Sequence, residues 1–352
     1  MQLKPNLHDT FKLKNNADTV EFAPRSIQSA PELAVCGCYE FDSLTNKRIG
    51  GVSLFQIDDN RFVNIPKVDN NCAVLNSSAD FGVLDIKWCN SEKFICACSD
   101  SCLRVYETSE VNESISGTIN LTYRETSSLI VSESIEIILS LDFSDGKIIS
   151  STDKGQLYLT DIESGLSEVS GKHESEIWTC VFSQHDSRIV FSGADDCFLN
   201  AWDTRTHKKL AKFPHTAGVC CVQTDKRLEN YVLTGCYDDK IHVFDMRFLP
   251  DLNQSLLHNT NCEWRTLKTL EIKGGPWRIK FNPEDPQLVG VAAMYEGYKL
   301  IENLSEVGEK FSNPEETELL GYGFDWSRKD PNKFMTCSFY DKIVSLWEIQ
   351  AS

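Results

Sequence analysis

The sequence contains no apolar run approaching the roughly 18 residues that a membrane-spanning helix needs. The stretch Met1 to Lys14 is polar and mixed in charge, without the apolar core of a secretory signal, so the expected location is cytoplasmic. Basic residues are in short supply. Thirty-five Lys and Arg stand against 52 Asp and Glu, a formal net charge of -17. Binding to nucleic-acid backbones or anionic membranes requires basic patches, so neither is an expected partner. Zinc-type cysteine spacing is missing too. There are 14 cysteines, but Cys36-Gly-Cys38 and Cys96-Ala-Cys98 skip one residue where a zinc pair skips at least two. Each pair lies in an apolar run that reads as a strand, where a reduced thiol is a small core residue. No metal and no cofactor are expected. A sustained 3.6-residue apolar period is absent, which excludes a helical fold.

Catalytic signatures are missing as well. There is no G-x-S-x-G elbow, no phosphate-cradling glycine loop and no H-E-x-x-H. On motifs alone the default function is a binding scaffold.

What the sequence does have is a repeat. The clearest unit runs His173-Glu-Ser-Glu-Ile-Trp-Thr-Cys-Val-Phe182, then Arg188-Ile-Val-Phe-Ser-Gly-Ala-Asp-Asp196, then Cys197-Phe-Leu-Asn-Ala-Trp202-Asp203. A second copy begins at His215, passes through Tyr231 to Asp238 and closes at Phe244-Asp245. Degraded copies carry a turn acid at Glu40, Asp100, Asp196, Asp238, Glu296 and Asp341, with Lys154 in the remaining one. Their first strands close on Phe22, Trp88, Phe143, Phe182, Phe281 and Trp326, with Gln223 as the exception. Loop insertions are expected at Ser109 to Gly117 and at Phe248 to Glu263. These units resemble the WD-repeat family. The resemblance implies one all-β domain over residues 1–352, a seven-bladed propeller. The last unit lacks a fourth strand, and Leu7 to Leu13 is expected to supply it and close the ring.

Histidines at blade openings invite a catalytic reading. In the WD-repeat pattern, however, His173, Asp196 and Trp202 form a buried lock, and His215 and Asp238 match it with Phe244 in place of Trp. Both histidines are therefore assigned to structure.

Three positions per repeat point at one mouth of the central channel in this family. The first set is Asp18, Leu84, Leu139, Trp178, Val219, Trp277 and Tyr322. The second is Asn16, Gly82, Ile137, Glu176, Ala217, Gly275 and Leu320. The third is Tyr39, Ser99, Asp153, Asp195, Tyr237, Tyr295 and Tyr340. Seven of these are Trp or Tyr, most of them in repeats four to seven, with Glu176, Asp195 and Asp153 alongside. Aromatic faces with carboxylates suit a quaternary ammonium ligand. They equally suit a protein-docking rim.

Several strings are more specific than the repeat. They are Ile86-Lys-Trp88-Cys, Gly193-Ala-Asp-Asp196 with Ala201-Trp-Asp-Thr-Arg205, His215-Thr-Ala-Gly-Val-Cys220, Gly274-Gly-Pro-Trp-Arg-Ile-Lys280, and Cys337-Ser-Phe-Tyr-Asp341 with Leu346-Trp-Glu348. Together they resemble the diphthine methyl ester hydrolase family of WD-repeat proteins. The resemblance spans repeats two to seven. It implies an esterase that removes a methyl ester from methylated diphthine on translation elongation factor 2, its protein partner, giving diphthine and methanol. The trimethylammonium group of that substrate favours the aromatic cage. No family assignment of catalytic residues carries over, so the site is read from these residues. Glu176 and Asp195 are the candidate bases for an attacking water. Tyr237 or Tyr340 can donate to the oxyanion, with Arg278 as a further candidate. Trp178, Tyr237, Trp277, Tyr295 and Tyr322 are expected to bind substrate. A Cys220 nucleophile served by His215 is the alternative chemistry, and a non-catalytic scaffold docking a protein on its top face is the alternative function. A monomer is expected.

Overall fold

The computed structural model describes residues 3–25, 31–68, 79–111, 120–228, 230–247 and 265–350. These form seven four-stranded antiparallel sheets. The insertion expected at Phe248 to Glu263, and most of that at Ser109 to Gly117, lie outside the described residues. The helical content among the described residues is one 3-10 turn, Met294–Glu296. The sheets are the blades of a propeller. Their inner strands are Asn16–Phe22, Val83–Trp88, Ile138–Ser144, Ile177–Phe182, Val219–Thr224, Pro276–Phe281 and Gly321–Trp326.

Burial along one blade follows its composition. The second strand of blade four, Ile189–Ala194, is buried throughout because neighbouring blades cover both its faces. The outer strand, Lys208–Pro214, is largely exposed and lysine-rich. Blades meet through apolar clusters, as where Ile149, Leu157 and Leu159 of blade three pack on Ile177, Cys180 and Phe182 of blade four. Contact is close enough that a Cβ on Gly193 would come within 2.5 Å of Val219. Acids also stitch the ring. Asp142 accepts the backbone N–H of Phe182 at 2.8 Å, and Asp325 accepts that of Phe22 at 2.8 Å, across the seam between the last blade and the first.

The ring closes as expected. Lys4–Lys12 pairs antiparallel with Ile343–Gln350 and supplies the outer strand of blade seven.

The lock of blade four forms around a serine that sequence reading did not include. His173 Nδ1 lies 2.9 Å from Asp196, and its Nε2 lies 2.8 Å from Ser192 Oγ. Trp202 Nε1 donates to the same hydroxyl at 2.8 Å. Burial holds the His173 pKa below its ordinary value, against the pull of Asp196. Breaking a buried network of this kind costs on the order of 1–3 kcal/mol. His173→Ala is therefore expected to lower the melting temperature while sparing chemistry. A mutant that melts like wild type but has no activity would make His173 catalytic.

Blade five differs from the expected set. His215 Nε2 meets Thr234 Oγ1 at 2.9 Å, but Asp238 bonds Thr216 and, at 3.0 Å, His242. The cause is one strand position. His242 pairs with Thr234 as Asn200 pairs with Ser192, and its longer side chain reaches the acid first. Burial and the neighbouring His242 push His215 down to about 4. Cys236, Asp238 and His242 bring ligand-type atoms within 4.8 Å of one another. Their hydrogen bonds to Ala217, Thr216 and each other account for the grouping as part of this lock.

Candidate active site

Each inner strand carries a β-bulge near its start, where the pairing register skips one residue. The skipped residues are Asp18, Leu84, Leu139, Trp178, Cys220, Trp277 and Tyr322. Six of the seven match the first set read from the sequence. Blade five is the exception. Its inner strand closes on Thr224 rather than Gln223, so the mouth residue is Cys220 and not Val219. Val219 is fully buried between blades four and five. The same shift puts Gly218 in the place expected for Ala217. Tyr237 N donates to Gly218 O, as Asp195 N donates to Glu176 O. Threonine gives no aromatic signal at the strand's end, which is why the register slipped there.

Two tyrosines move outward for related reasons. In blade seven, Cys337 pairs with Val344, a loop one residue longer than the one between Gly193 and Leu199 in blade four. Phe339, whose N–H donates to Leu320 O, therefore takes the position equivalent to Asp195, and Tyr340 lies beyond it, 59% exposed. In blade six the equivalent residue is Met294, which follows the Pro276–Ala293 pair. Tyr295 sits in the 3-10 turn and is 70% exposed.

The remaining aromatics form a continuous arc. Trp277 lies 5.7 Å from Trp178, 6.3 Å from Tyr237 and 5.1 Å from Tyr322, centroid to centroid. Tyr322 continues to Phe339 at 4.9 Å, and Phe339 to Tyr39 at 5.1 Å. Cys220, Met294 and Leu320 pack into the same cluster. Phe339 and Met294 were missed in the sequence because they stand one residue before the positions that the turn acids indicated.

Both proposed acids lie at the blade-four end of this arc. Asp195 Oδ1 accepts from Trp178 Nε1 at 3.4 Å, and the Asp195 N–H bonds the Glu176 carbonyl at 3.0 Å. Both residues are exposed. Gly218 leaves room for them. A Cβ there would approach Asp195 Oδ1 to 2.6 Å and the Tyr237 ring to 3.0 Å.

Beneath the arc, strand alternation aims polar residues into the channel. Arg278 is 9% exposed and lies 3.7 Å from Asp85. Asp85 also accepts from Ser140 Oγ at 2.9 Å and Leu141 N at 3.0 Å. Lower down, Lys87 bridges Asp142 at 3.3 Å and Glu21 at 3.7 Å. The proposed Cys220–His215 pair is not assembled. The His215 ring contacts are with Phe213, His242 and Phe244. Burial pushes the Cys220 thiol well up, away from its reactive thiolate.

The family described as WD domain, G-beta repeat, matches residues 71–107, 166–203 and 207–245. A "Diphthine methyltransferase homolog" from Dictyostelium discoideum is 28% identical, covering 97% of this chain and 98% of that protein. "Diphthine methyltransferase" from Mus musculus is 29% identical over 88% of this chain and 67% of that protein. The Schizosaccharomyces pombe protein of the same name is 31% identical over 62% of this chain and 66% of that protein. Among solved structures, the WD40 propeller domain of Doa1 covers 98% of this chain and 97% of that chain, with a TM-score of 0.66 at 14% identity, a likeness of fold alone.

Proposed function

We infer that this chain, a WD-repeat protein homologous along nearly its whole length to proteins named diphthine methyltransferase, works in diphthamide biosynthesis. Its reaction is hydrolysis of the methyl ester of methylated diphthine on translation elongation factor 2. The observation that carries this reading is the aromatic arc with a carboxylate at its rim and a guanidinium below it. Aromatic faces attract a trimethylammonium group through their quadrupoles, most strongly when water is excluded. The group is covalently next to the ester, so holding it also places the acyl carbon.

Water attacks that carbon. Its proton passes to Asp195 or Glu176, and the carbonyl oxygen gains negative charge facing Arg278, with the Tyr237 hydroxyl as a further donor. Collapse expels methoxide, which takes a proton and leaves as methanol. The relatives' name speaks of methyl transfer. Read as an acceptor for a water's proton and donors for an oxyanion, the groups at this mouth support ester cleavage.

A second reading rests on the exposed Tyr237, Tyr295 and Tyr340, which suit a protein-docking rim without catalysis. One experiment separates the two. The purified chain is incubated with elongation factor 2 carrying methylated diphthine, with no other protein and no methyl donor. Hydrolysis predicts loss of one CH2 in mass and an equivalent of methanol. Complex formation with unchanged mass would support the scaffold, and a mass gain dependent on S-adenosylmethionine would support methyl transfer.

A further inference from the structure

Asp18 stands apart at the channel mouth. Of the seven bulge residues it is the one with a charged side chain, and it is 4% exposed. Among the described residues its carboxyl group has no hydrogen bond and no ion pair. A carboxylate kept for structure alone is normally paired when buried this deeply, because desolvation is costly. Arg278 favours the ionised form of Asp18 through its charge without pairing with it. Its ion-pair contact is with Asp85, which Ser140 and Leu141 already satisfy. Two buried donors, one on the aromatic arc and one on a guanidinium over the Tyr39 ring, are also unpartnered among the described residues. Trp277 Nε1, on a residue 8% exposed, has no acceptor, and neither has Arg48 Nε. The mouth thus holds an acid without a hydrogen-bond partner among the described residues and two buried N–H groups without acceptors, polar groups that a ligand would satisfy.

The ligand's chemistry follows from the two signs. Hydrolysis of the proposed ester leaves a quaternary ammonium one carbon away from a carboxylate, which is a betaine. We propose that Asp18 and Arg278 read this betaine, the Asp18 carboxylate facing the trimethylammonium group and the Arg278 guanidinium facing the ester carbonyl and then the freed carboxylate. The assignment rests on the esterase reading for its substrate and goes beyond it in naming the pair that selects for the substrate.

Burial supports the geometry by pushing Asp18 up to about 8. The charged groups facing it are Arg278, Asp85 and Arg48. The weak acids around it are Cys36, Cys38, Tyr39 and Tyr322, all raised further by burial, with Cys38 at about 12. Asp18 thus titrates near neutrality. A cation prefers the ionised form, so its binding below about pH 8 expels a proton.

The test uses the full chain and four probes: betaine methyl ester, betaine, tetramethylammonium, and the uncharged isostere methyl tert-butylacetate. Binding is followed by tryptophan fluorescence and by ligand NMR. The cationic ester is expected to bind about tenfold or more tighter than its neutral isostere. Its affinity should fall about tenfold per pH unit below about 8 and level off above. Asp18→Asn should remove the cation preference and the pH dependence together. Arg278→Gln should weaken betaine and the ester but not tetramethylammonium. Equal binding of the neutral isostere, a comparison that needs no variant to fold, or a cation preference that survives Asp18→Asn, overturns the assignment. The esterase reading fails separately. A chain with this binding pattern that removes no methyl group from the elongation factor keeps the betaine site and loses the reaction. A chain that removes it at an unchanged rate after Asp18→Asn keeps the reaction and loses the site.

Discussion

Asp195→Asn is expected to lower turnover of the methyl ester about 100-fold or more, the usual contribution of a general base, with only a modest loss of binding. The amide keeps the shape of the carboxylate and its acceptor for Trp178 Nε1, so the aromatic arc stays in place. It loses the charge and basicity that take a proton from water. Glu176→Gln makes the same chemical change one strand start away, at the residue whose carbonyl holds the Asp195 N–H. At least one of the two amides must show the loss. Trp178→Ala should instead act mainly on KM, because it removes a face of the cation's receptor while both carboxyl groups remain, Asp195 losing only the long 3.4 Å contact from the indole N–H. Single-turnover rates at saturating substrate make the separation. Wild-type rates for both amides would move the base elsewhere in the mouth.

Deleting residues 1 to 14 is expected to convert a well-behaved protein into one that aggregates. The strand Lys4–Lys12 pairs antiparallel with Ile343–Gln350 from Lys4 opposite Gln350 to Lys12 opposite Ile343, with one bulge at His8. Its loss uncovers an edge bearing Ile343, Val344, Leu346 and Ile349, a template for pairing with a second chain. The strand also ties the seam. Phe11 packs on Phe55 of blade one at 4.9 Å, and the Leu13 N–H bonds the Lys342 carbonyl at 2.7 Å. The partly buried Phe11 ring contributes on the order of 1 kcal/mol. Light scattering and thermal melts read the outcome. A truncated chain that stays monomeric with an unchanged melting temperature would mean that the ring closes without this strand.

The propeller was legible because its signals are local and repeated. The order His173, Asp196, Trp202 marks the lock of one blade, and the absence of a fourth strand after Ile349 pointed to Leu7 to Leu13. The site was legible only where the repeat kept its markers. Trp178, Trp277 and Tyr322 fell on their bulges because Phe182, Phe281 and Trp326 end their strands. Blade five ends on Thr224, so Cys220 was read as Val219. Blade seven has a four-residue turn, so Tyr340 was named where Phe339 stands. Asp18 was placed at the mouth correctly, but its weight was invisible. Sequence position shows neither the burial of a carboxyl group nor its lack of a partner, since both come from strands far away in the chain. The inverse holds for Glu176 and Asp195, whose rim position was readable and whose exposure was not.

The origin of the oxygen in the product tests acyl hydrolysis most directly. The reaction is run in heavy-oxygen water with the elongation factor carrying methylated diphthine, and both products are analysed by mass spectrometry. Attack of water on the acyl carbon at the channel mouth predicts one heavy oxygen in the diphthine carboxylate and none in the methanol. Heavy oxygen in the methanol, or an unlabelled carboxylate after loss of the methyl group, would contradict acyl hydrolysis and the assignment of this mouth as its site.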